Sequence, residues 1–138
     1  MSETDTAPSA RAALPAVMEG ESPADISRAR DAADAFARSL EPALSAQVKQ
    51  TLALVVTELA TNALRHGGGR FTMRLSVGTN MVNIAMSDPS PVPPRERAPD
   101  LNGGTGGFGW HMIRRLAIHV ALAPGPGVGK TIYVGLLR

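Results

Sequence analysis

The sequence has 138 residues, 43% of them hydrophobic and 19% charged, with a formal net charge of +2 and no cysteine. These values fit one domain and exclude a fully disordered chain, a disulfide framework and thiolate chemistry; the longest apolar run, Leu52–Val56, is far short of the ~20 residues of a membrane-spanning helix. Charge is unevenly spread, with residues 1–25 summing to −4 and residues 26–138 to +6, and a basic body suits an anionic ligand such as a phosphate compound.

Residues 1–10 are small, polar and acidic and read as disordered. They lack the basic start and apolar stretch of a secretory signal, so a cytoplasmic protein without membrane association is expected. Residues 11–18 suit a short edge strand interrupted by Pro15. Residues 1–20 thus form a disordered or edge-strand segment ahead of a folded domain at 21–138. Ser22-Pro23-Ala24-Asp25 is a helix start, with Ser22 as the cap, Pro23 at the first helical position and Asp25 reaching back as in a capping box. Ile26, Ala29, Ala33, Phe36 and Leu40 recur at helical spacing, and Glu41-Pro42 ends this helix near Leu40. A second helix runs from about Ser45 to His66 on the stripe Val48, Leu52, Val55, Leu59 and Ala63, and Gly67-Gly68-Gly69 stops it. Phe71–Val77 and Met81–Ser87 alternate about a Gly78-Thr79-Asn80 turn and predict a hairpin. Residues 88–107 form a long loop rich in proline and then glycine, a length that is usually functional. A third helix is expected near Trp110–Ala117, then strands at Ile118–Ala123 and Thr131–Leu137 about a Pro-Gly-rich turn. The order predicts an α+β, two-layer sandwich, with helices on one face of a mixed, mostly antiparallel sheet.

Two phosphate-loop patterns occur and both fail on context. Gly104-Thr105-Gly106-Gly107-Phe108-Gly109 fits GxGxxG, but no strand precedes it directly and no βαβ repeat surrounds it, which leaves a nicotinamide enzyme as a weak third reading. Gly129-Lys130-Thr131 resembles the end of a Walker loop, but Pro124 stands where its first glycine belongs and a strand follows. Bases are scattered and only five residues are aromatic, so direct nucleic-acid binding is not expected. His66, His111 and His119 lack metal-ligand spacing and read as structural or surface residues. Trp110, Phe108 and Met112 read as packing for the third helix.

The second helix carries more. Glu58 and Asn62 lie four residues apart on one face, at the rim of the apolar stripe. One reading is a solvated or capped pair near a helix end. The other is a cleft, in which a carboxylate orients or deprotonates an attacking hydroxyl and an amide oxygen ligates Mg²⁺. Asp88, at a strand end, is either an ordinary Asp-Pro turn residue or an acceptor for an exocyclic amine. The glycine run is either a flexible linker or a phosphate wrap backed by a helix N-terminus.

In order, ELATNALRH (Glu58–His66), MSDPSP (Met86–Pro91) and GGTGGFGWHMI (Gly103–Ile113) resemble the N, G1 and G2 boxes of the GHKL ATPase superfamily. Over residues 20–138 the chain is most similar to single-domain anti-sigma-factor serine kinases of the histidine-kinase-like type. The closing Gly129-Lys130-Thr131-Ile132-Tyr133 resembles that subfamily's last strand. The resemblance implies the Bergerat-type ATP-binding fold, with ATP and Mg²⁺ as cofactors and an ATP lid at about 89–107. It implies Glu58 as general base or water-orienting carboxylate, Asn62 as the Mg²⁺ ligand and Asp88 as the acceptor for the adenine amine. Gly104, Gly106, Gly107 and Gly109 would bind the nucleotide as part of the lid, and Thr131 would support the adenine through a water. It further implies phosphorylation of a serine on an anti-anti-sigma (STAS-domain) partner, sequestration of a sigma factor, and a homodimer. A full sensor kinase is not expected, because no phosphoacceptor hairpin precedes the domain. The alternative is a module of the same fold that holds ATP, or nothing, and acts by sequestration alone. The second box departs from the common Asp-x-Gly: Asp88-Pro89-Ser90 is stiffened by its proline.

Overall fold

The computed structural model describes residues 16–94 and 106–138, with the side chains of 106–108 left aside. The elements are β1 (Ala16–Gly20), α1 (Ala24–Ser39), α2 (Ala46–His66), β2 (Phe71–Gly78), β3 (Met81–Asp88), α3 (Gly106–Leu116), β4 (His119–Pro124) and β5 (Lys130–Leu137). The expected disorder of residues 1–10, Pro15, and most of the proposed lid, Gly104 included, lie outside the described residues. Among the described residues β1 pairs with β2 alone, at the edge of the sheet.

The α+β architecture is as the pattern predicts. The sheet has five strands in the order β1-β2-β3-β5-β4. Among the described residues every pairing is antiparallel, where a mixed sheet was expected. The β4–β5 hairpin lays β5 beside β3, and α3 carries the chain across to that side. Alternation sets the two faces of the sheet. Phe71, Met73 and Leu75 of β2, Val82, Ile84 and Met86 of β3, and Ile132, Val134 and Leu136 of β5 are buried on one face. They pack in one core cluster with Ala29, Ala33 and Phe36 of α1 and with Leu52, Val55, Val56, Leu59, Ala60 and Ala63 of α2.

Local chemistry explains the helix ends. The Asp25 carboxylate accepts from the Glu21 and Ser22 N–H groups at 2.8 and 3.2 Å, the reach-back half of a capping box. The Ser22 hydroxyl donates to Asp25, and Pro23 rather than Ser22 takes the N-cap place, with no side-chain cap bond among the described residues. Ser45 caps α2, its hydroxyl accepting from the Val48 N–H at 3.2 Å. At the other end the Gly67 and Gly69 N–H groups both reach the Ala63 carbonyl. α3 starts at Gly106 rather than near Trp110. Its buried anchor is Ile113, with Trp110 half-buried beside the core. Among the described residues no helix is long and apolar enough to cross a membrane.

Candidate functional site

The last turns of α2 and the ends of β3 and β5 meet around a cavity of about 210 Å³. Leu59, Asn62, Ala63 and His66 line it from α2, Asp88 from β3, and Lys130 and Ile132 from β5; Val92, Pro93 and Pro94 complete the wall. A pocket for a drug-sized ligand usually holds roughly 300–1,000 Å³, so this one has room for a heteroaromatic base rather than a whole nucleotide. Its lining mixes apolar side chains with the polar groups of Asn62, His66, Asp88 and Lys130.

Asp88 reaches the cavity because inward register continues past the apolar core. Ile84, Met86 and Asp88 share one face of β3, and Val134, Ile132 and Lys130 share the matching face of β5. Asp88 and Lys130 are directly opposed across the two strands. Their side chains are 4% and 7% exposed, and Lys130 Nζ lies 2.9 Å from Asp88 Oδ1. That oxygen also accepts from the Ser90 N–H at 3.0 Å, and Nζ donates to the Ser90 carbonyl at 3.1 Å. Gly67 packs against Asp88 Oδ2 so closely that a Cβ there would overlap it. The stop of α2 therefore has to be glycine for a steric reason.

Thr131 goes the other way. One residue on from Lys130, it faces the opposite side of the sheet, where its hydroxyl meets Ser87 Oγ at 2.7 Å and donates to the Gly125 carbonyl at 2.8 Å. The structure does not bring Thr131 to the cavity with Asp88, because strand alternation sends adjacent residues to opposite faces. Lys130 takes the inward place. Thr131 is thus not at the wall of this cavity, and Lys130 is the polar residue there that the sequence reading passed over. The period-two run Lys130, Ile132, Val134, Leu136 carried the signal.

Asn62 lines the cavity, and Glu58 lies one helical turn away, half-buried, against α3. Glu58 Oε1 is buried and, among the described residues, has no hydrogen-bond partner. It abuts Gly109, where a Cβ would overlap it. Burial pushes the Glu58 carboxyl above its ordinary value, and the positive charge of Arg65 opposes that rise. Gly106 and Gly107 lie in the first turn of α3, whose leading N–H groups have no partner within the helix and favour an anion. The glycines of this segment that are described are therefore helical, not part of a loop. Among the described residues no three His, Cys, Asp or Glu side chains group to hold a metal. The Asn62 amide oxygen is a hard donor, of the kind that Mg²⁺ takes when phosphates and water fill the rest of its shell.

A larger cavity, about 550 Å³, opens where the ends of β1, β2 and β3 meet the start of α1, with Arg28, Arg70, Glu19 and Glu21 at its wall. Asp88 lines this cavity too, but Asn62 does not. The smaller cavity, which brings Asn62 and Asp88 together one helical turn from Glu58, is therefore the better candidate.

Two comparisons bear on this geometry. A family model described as a histidine kinase-like ATPase domain matches residues 21–134. No curated protein matches the chain.

Proposed function

The chain belongs to the histidine kinase-like ATPase domain family, a family of ATP-binding modules, and on that premise we propose that it is an anti-sigma regulatory factor acting as a Mg²⁺-dependent protein serine kinase. The observation that carries this reading is the buried, partnerless Glu58 Oε1 against Gly109, one turn of α2 from Asn62 and its cavity. A buried carboxylate oxygen without a hydrogen-bond partner is costly, and one held in a folded domain calls for an explanation. Its raised proton affinity makes it a stronger base than an ordinary carboxylate for the proton of an attacking serine hydroxyl. Asn62 would hold Mg²⁺, and Asp88 would accept from the amine of the base. The N–H groups at the start of α3, at Gly106, Gly107 and Gly109, would face the phosphates, with Gly104 in the lid ahead of them. Bound MgATP would supply the phosphoryl group and neutralise its charge. The partners in this reading are a STAS-domain protein that presents the serine, a sigma factor and a second copy of the chain.

The Asp88–Lys130 pair favours a second reading, sequestration without catalysis, because the carboxylate meant for the base already holds a cation. Glu58→Ala separates the two. Phosphate transfer to a STAS-domain serine should fall by about 10²–10⁴, the usual worth of a positioned base, with MgATP affinity near that of the parent. Equal transfer by parent and variant would end the kinase reading.

A further inference from the structure

Lys130 is the feature that neither the sequence motifs nor the proposed chemistry explains. Lysine is almost never buried unless paired, and here it is buried at the wall of the cavity. Three contacts tie the pair down: Nζ to Asp88 Oδ1 at 2.9 Å, Nζ to the Ser90 carbonyl at 3.1 Å, and the Ser90 N–H to the same Oδ1 at 3.0 Å. An ammonium has three donors, and these contacts use two of them. The carboxylate has further acceptor capacity of its own. One end of the cavity is therefore electroneutral, with a fixed hydrogen-bond acceptor and a fixed donor side by side.

A ligand that satisfies both must present a donor and an acceptor on neighbouring atoms of one planar edge. The edge of an aminopurine does so: its exocyclic amine donates, and the ring nitrogens that flank it accept. We propose that Lys130 is a specificity-determining residue of the base pocket, reading a ring-nitrogen acceptor beside the amine that Asp88 takes. The inference rests on the nucleotide-binding reading above. It adds a second, chain-supplied contact to the base, and it makes the amine alone insufficient.

The test is calorimetric titration of the whole chain with MgATP, 1-deaza-ATP and 7-deaza-ATP. Each analogue keeps the amine and lacks one flanking nitrogen. One of the two should bind at least tenfold more weakly than ATP, a difference of about 1.4 kcal/mol, and that gap should close in Lys130→Met. Lys130→Gln, which keeps a neutral donor to Asp88 on a shorter stem, serves if the methionine variant does not melt cooperatively; the gap should close there too. Analogues that bind the parent as well as ATP would overturn the proposal, as would a gap that persists in the variants. Tighter ATP binding by Lys130→Met would also overturn it, since Lys130 would then be a competitor for Asp88 rather than a reader of the base. A parent chain that binds no nucleotide at all would remove the underlying reading and the proposal together, whereas ATP binding with indifferent analogues removes the proposal alone.

Discussion

Gly109→Ala isolates what places the Glu58 carboxylate. The new Cβ would overlap Glu58 Oε1, and the nearest atoms it meets all belong to the Glu58 side chain. Overpacking a rigid core costs about 1–3 kcal/mol, but here the obstacle is the far end of a flexible side chain, which can swing aside. Alanine also gains up to about 1 kcal/mol over glycine within a helix. The two effects oppose each other, so the net change in stability should stay within about 1 kcal/mol. The carboxylate, displaced toward water, loses the burial that raises its proton affinity, and its pKa should fall toward the ordinary value of 4.5. An NMR titration of the Glu58 side-chain carboxyl in parent and variant reads this directly, with thermal melts as the check on folding. A folded variant in which Glu58 titrates as in the parent would refute the claim that Gly109 holds the carboxylate in its buried place.

Glu58→Gln should raise stability at neutral pH. A folded-state pKa above the unfolded value means that the native state binds the extra proton, so the parent loses stability as pH rises from about 4.5 through the raised value. The advantage of the glutamine variant should therefore vanish in melts below pH 4.5 and be complete above the raised pKa; a constant offset across that range would contradict it. Asp88→Asn leaves Lys130 buried without its counter-charge and should cost about 3–5 kcal/mol in urea denaturation, whereas Asp88→Leu combined with Lys130→Met should recover much of that loss. Ser45→Ala removes the cap on the Val48 N–H and should cost about 1 kcal/mol by the same measurement, with the Glu58 titration unchanged.

The layers of the fold were legible because each rests on a local period. The stripe from Val48 to Ala63 forms α2, and all but the half-buried Val48 of those residues are fully buried. Val82, Ile84 and Met86 face the core as their alternation requires. The start of α3 was not legible in the same way. Glycine disfavours helix by about 1 kcal/mol per residue, so the sequence argued for a later start. Tertiary packing overrides that propensity: α3 is anchored by Ile113 and Trp110, and Gly109 is the residue that lets it approach Glu58. Strand order depends on contacts between distant segments, and no local period records that β5 lies between β3 and β4.

The site shows the same division more sharply. Glu58 and Asn62 could be paired from their spacing on one helix, and Asp88 could be singled out at a strand end. The fourth polar group depended on one residue of register. In Gly129-Lys130-Thr131 the resemblance to the family's last strand singled out the threonine, and nothing local marked the lysine, a residue rarely buried. Cross-strand register decides otherwise: once Ile132 and Val134 face the core, Lys130 must share their face and meet Asp88, and Thr131 must leave it. Inward alternation that ends in a charge on both of two paired strands is thus itself a signal of a functional cavity. Burial of two opposed ions brings little stability over an apolar pair, so their place in the pocket wall, beside Asn62 and His66, fits the proposed ligand that uses them both.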